Sequence, residues 1–142
     1  MKLNDVSVDP VRVEQGEWIG EKYDSPIPEM GDLCVKVRGL GNADWRRAQS
    51  KLIAALPRNK RVGGQIDSDE MDRINSTLLL EHSLLDWSGI DDDSGNPVSY
   101  SKAQAKEIIS NPTHRRVRDA IFWAASTVGD GIAAKKEDEA KN

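Results

Sequence analysis

One cysteine, Cys34, stands among 142 residues, so no internal disulfide framework supports the fold. The thiol reads as a small buried residue of a strand. Aromatics are scarce at 5%, yet four are tryptophans against two tyrosines and one phenylalanine. Each tryptophan is therefore an informative candidate anchor. No apolar run approaches the ~20 residues that span a bilayer. The opening MKLNDVSVDP has no apolar segment of the secretory type, so the expected location is the cytoplasm. Basic residues do not exceed acidic ones: 20 face 24, for a net charge of −4. Nucleic-acid binding is not expected as a primary role.

Chemical motifs are missing too. The chain has no phosphate-binding G-x-x-x-x-G-K-[ST], no G-x-G-x-x-G, no H-E-x-x-H, no G-x-S-x-G and no C-x-x-C. His82 and His114 lie far apart, and His82 has no second ligand at metal spacing, so it reads as structural or surface-exposed. Asp91-Asp92-Asp93-Ser94-Gly95-Asn96 invites a calcium reading. Counted from Asp91, however, Gly95 falls at position five and Lys102 at twelve, where the EF-hand loop needs Gly at six and Glu at twelve. The run reads as a solvated reversal with Gly95 at positive φ. Neither a cofactor, a metal nor an enzymatic activity is expected.

What is present is 37% hydrophobic and 31% charged residues, enough for one modest core. The expected fold class is α+β and mostly helical, with a small N-terminal antiparallel β hairpin or sheet packed on about four α-helices. Residues 1–132 form a single domain in this reading. Residues 1–40 are its β-rich part and residues 42–132 its helical part, and 133–142 is a flexible charged tail. Val6, Val8, Val11 and Val13 alternate with polar neighbours and predict extended chain. Leu33-Cys34-Val35-Lys36-Val37 is the best strand pattern. Gly20–Gly31, with Pro26 and Pro28, reads as an exposed loop.

Asn42 is a suitable N-cap, with Asp44 in the first turn of the helix it starts. Trp45, Ala48, Leu52, Ala55 and Leu56 form its apolar face, and Pro57 closes it. A second helix opens with a capping-box pattern, Asp67 and Glu70, and is expected to run to Asp86-Trp87. Met71, Ile74, Leu78 and Leu85 give it one stripe. Leu79, Leu80, Leu84 and Trp87 widen its apolar surface beyond that stripe, as in a central helix or one that also faces a partner. Ser101 and Gln104 form another capping box before a helix over Lys102–Ser110. Asn111-Pro112 starts the last helix, with Val117, Ala120, Ile121, Ala124 and Val128 inward and Phe122-Trp123 pointing away.

Leu84-Leu85-Asp86-Trp87-Ser88-Gly89-Ile90, the turn Asp92–Gly95, Pro97-Val98-Ser99-Tyr100-Ser101 and a final helix with Ala124-Ala125 resemble the tail assembly chaperones of long-tailed bacteriophages. Gly39-Leu40-Gly41-Asn42-Ala43-Asp44-Trp45 is similar to the onset of the first helix in such proteins. The resemblance covers Val37–Val128, with short and chemically ordinary elements that also suit other small phage morphogenesis proteins. It implies a non-enzymatic factor of the bacterial host cytoplasm that coats the tape measure protein, helps the tail tube protein polymerise around it, and is absent from the virion. Many such chaperones have a second, longer form made by frameshifting; Lys135-Lys136-Glu137 is compatible with an A-rich codon run.

The candidate contacts for a client or for self-association into a homo-oligomer are Trp87, Leu80, Leu84, Phe122 and Trp123. The densest positive patch is Arg46, Arg47, Lys51, Arg58, Lys60 and Arg61. It reads first as a solvated face and loop, and second as a contact for phosphate or an acidic partner. Three functions follow in order: the tail assembly chaperone, a structural tail-terminator or head–tail joining component of the virion, and a small DNA-binding regulator.

Overall fold

The computed structural model describes residues 1–130. The fold is α+β and mostly helical. Helix α1 (Pro10–Gln15) precedes strands β1 (Glu17–Ile19) and β2 (Cys34–Val37). Helices α2 (Ala43–Ala54) and α3 (Ser68–His82) follow, then strand β3 (Leu84–Ser88) and helices α4 (Lys102–Ser110) and α5 (Arg115–Thr127). The sheet has the order β1-β2-β3 and is antiparallel throughout, with Trp18 opposite Lys36 and Val35 opposite Trp87. The strands are thus not all N-terminal. The expected tail, 133–142, lies outside the described residues.

Two expectations fail locally. Residues before Glu17 are not extended: Leu3–Val6 is a 3₁₀ turn and Pro10–Gln15 an α-helix. Asp9 caps α1, its carboxylate accepting from the N–H groups of Val11 (3.0 Å) and Arg12 (3.4 Å), and Pro10 takes the first helical position. Val11 and Val13 belong to this helix, Val6 to the 3₁₀ turn, and Val8 to an isolated bridge with Asp130. Nor does α3 reach Trp87. It ends at His82 although no Gly or Pro stops it, because Leu84–Ser88 pairs with β2. Sheet pairing overrides helical patterning here. Register slips between Lys36 and Val37 leave Leu85 without an opposite residue, a β-bulge that turns this leucine outward.

Core residues come from every layer. Ile19, Val35, Val37 and Trp87 line the sheet's inner face. Ile74, Leu78 and Leu79 of α3, Ala105 and Ile109 of α4, and Ile121, Ala124 and Ala125 of α5 close over it. Cys34 is buried in β2, as expected. The face of α2 buries Trp45 and, just past the helix end, Leu56, with Ala48 and Leu52 half-buried; Ala55 is exposed because the helix ends at Ala54.

A polar knot joins the layers. The fully buried Asn42 accepts from Trp45 N–H (2.9 Å) and donates to the carbonyls of Gly39 (3.0 Å) and His82 (2.8 Å). The start of α2 is thereby tied to the end of α3. Beside it, the buried Ser83 hydroxyl donates to the Arg38 carbonyl (2.7 Å), and Arg38 N–H donates back to the Ser83 carbonyl (2.9 Å). Among the described residues no buried side-chain nitrogen or oxygen lacks a partner, as buried polar groups require.

Candidate interaction surface

The family-resembling stretch is packing machinery. Trp87, on β3 and not on a helix, is buried, and its indole N–H donates to the Val98 carbonyl (2.7 Å). Tyr100 meets the ring edge-on, with centroids 5.1 Å apart. Burial raises the Tyr100 hydroxyl above its usual pKa. Gly89 follows at φ 80°, packed so tightly on the Asp32 carbonyl that a Cβ would collide with it. In the acidic turn, Gly95 takes the expected positive φ of 81°. Ser101 caps α4 by accepting from Gln104 N–H (3.1 Å). At the start of α3, Asp67 occupies the N-cap position without a side-chain bond, and Glu70 pairs with Arg73 (2.9 Å) instead of closing a capping box.

Leu80 and Leu84 join Trp87 in the core cluster. The breadth of apolar surface on α3 is thus covered from inside the molecule, by α2, α4, α5 and the sheet. Three of the five candidate contacts therefore present almost no surface to a partner. The fourth, Phe122, is half-buried and tilts against Trp45 at 6.3 Å between centroids. Only Trp123 keeps a large exposed part, 39% of its surface, on the outer side of α5.

A second apolar set escaped the sequence reading. Met1, Leu3, Val6, Val8 and Val11 are all exposed. The bonds of residues 2–7 are local, and the body holds the segment from Val8 onward. Val8 bridges to Asp130, Asp9 N–H donates to the Gly129 carbonyl (3.0 Å), and Gly39 N–H donates to the Val13 carbonyl (2.9 Å). Arg38 bonds the Glu14 carboxylate at 3.3 Å and the Asp44 carboxylate at 2.9 Å, clamping α1 to the start of α2. The bonds from Arg38 and then Arg47 hold the Asp44 carboxyl below its usual pKa. The segment is thus joined to the chain just past the end of α5. The Asp9-Pro10 start signal marks this helix in the sequence.

The structure divides the basic patch. Arg46, Arg47 and Lys51 border one shallow hollow with Ala43 and Ser50. Arg47 is engaged by Asp44 at 2.8 Å. Lys60 borders a different hollow and faces Asp67 at 4.0 Å. Arg58 and Arg61 are exposed on the intervening 3₁₀ turns. No single cationic cradle results. Among the described residues, no group of three His, Cys, Asp or Glu is placed to hold a metal, and no helix is long and apolar enough to cross a membrane.

Residues 40–142 match the family model described as YdaY prophage protein. No curated protein and no solved structure matches the chain.

Proposed function

This chain belongs to the YdaY prophage protein family, a phage-derived family, and from that premise we propose that it is a non-enzymatic tail assembly chaperone. In this reading it works in the host cytoplasm, self-associates, binds the tape measure protein and promotes assembly of the tail tube protein. The observation that carries the reading is Trp123, held outward on α5 while the core beneath it is already complete. Tryptophan is among the residues enriched at binding hot spots. The exposed apolar segment joined just past the end of the same helix extends the surface on offer. A helical client that would aggregate alone needs such a surface, into which an amphipathic face can dock.

The test is co-expression with the tape measure protein encoded in the same prophage, followed by size-exclusion chromatography. A soluble complex, formed by the wild type and lost with Trp123→Ala, supports the reading. A chain that leaves the client insoluble overturns it. Recovery of the chain from purified particles would replace the chaperone with a structural virion component.

A further inference from the structure

A cleft of about 470 Å³ lies between the Ile90–Val98 turn, α4 and the start of α5. Ile90, Val98, Ile108 and Val117 give it an apolar lining, each half-buried against the core. Asp91, Asp92, Asp93 and Glu107 also line it, and all four are exposed. Among the described residues none of these carboxylates has a cationic partner; the ion pairs engage other acids. His114 is the single lining group able to carry positive charge.

One of the carboxylates is also held in place. Asp92 accepts from Ser94 N–H and Asn96 N–H, both at 2.9 Å, and the backbone of Asp91 bridges to Pro97, which fixes the turn. Four like charges around one concavity repel one another, and a cation entering between them relieves that repulsion. Apolar walls with an acidic rim are complementary to one kind of peptide.

We infer that this cleft binds a cationic amphipathic segment of another protein: a short helix placing apolar side chains from successive turns against Ile90, Val98, Ile108 and Val117, with flanking Lys or Arg on the rim. The rim repels nucleic acid and anionic lipid, which present phosphates. A second copy of the chain fits less well through its basic α2 face, because Trp45 beside Arg46 and Arg47 is buried in its own core and Leu52 and Ile53 are half-buried against it. This surface is distinct from Trp123, so the inference does not depend on the chaperone reading.

The test is calorimetric titration of the full chain with a synthetic amphipathic helix carrying leucines on one face and lysines at its borders. A control peptide carries glutamates in place of the lysines. Tight binding of the lysine peptide alone, weakening with salt, is the expected result. The double variant Asp93→Asn/Glu107→Gln, which spares the turn-holding Asp92, should weaken it roughly tenfold, and Trp123→Ala should not change it. Equal binding of both peptides, an unaffected double variant, or no binding at roughly 100 µM would overturn the inference. So would a dimer that the double variant dissociates, since a second copy would then be the occupant.

Discussion

Trp87 and Trp123 carry the same side chain, one inside the core and one outside it. Around Trp87, every neighbour is inside: the indole N–H is bonded to Val98, Tyr100 covers the ring edge, and Leu80 and Leu84 are buried with it. Around Trp123, the inward half of α5 is packed through Ile121, Ala124 and Ala125 while the indole faces out. An apolar excess in sequence can thus be absorbed by the molecule or left over, and only the leftover part is available to a partner. The leucine-rich end of α3 is absorbed because the chain leaves the helix at Ser83 and returns as a strand. On the outer side of α5, Trp123 stays 39% exposed.

This contrast breaks most visibly in stability. Trp87→Ala removes a buried ring and orphans the Val98 carbonyl, so a loss of ~3–5 kcal/mol is expected in chemical denaturation. A loss below ~1 kcal/mol would place Trp87 in the same class as Trp123. Asn42→Ala comes next, at ~2–4 kcal/mol, because it removes a helix cap and both bonds donated by the side-chain amide, leaving the Gly39 carbonyl only the backbone N–H of residue 42 (3.3 Å). Asn42→Asp should recover the cap but not the two donated bonds, and therefore only part of the stability.

A smaller effect concerns the clamp on the N-terminal segment. Arg38 and Arg47 lower the folded pKa of Asp44. The stabilisation is therefore present above the ordinary aspartate value of 3.8 and is lost as pH falls through the lower folded value. The Tm of the wild type should fall more steeply over that acid range than that of Asp44→Asn. At neutral pH the variant should release α1, seen as faster amide exchange at Val13 and Gly39. Identical acid profiles would remove Asp44 from the clamp.

Much of the helical part was legible because its signals are local. Asn42 and Ser101 each cap where their side chains and neighbours indicated, while Asn111 caps a 3₁₀ turn, Pro112–His114, that leads into α5. The inward face of α5 was readable from its spacing, as was the β2 pattern around Cys34. The errors share one cause. Leu84–Ser88 carries no local stop signal, and its strand state depends on β2, almost fifty residues earlier in sequence. Alternating Val6–Val13 imitates a strand, and only Asp9-Pro10 argues against it. The candidate interaction surface was harder still, because Trp87 and Trp123 look equally apolar until long-range pairing assigns one of them an inside.

The central claim is that Trp123 is spare apolar surface used for binding. Its direct test pairs two measurements on Trp123→Ala: urea unfolding and affinity for the tape measure protein of the same prophage. The account predicts a stability change within ~0.5 kcal/mol together with a loss of affinity of roughly 30-fold. Unchanged affinity, or a weakened complex that merely follows a destabilised fold, would contradict it.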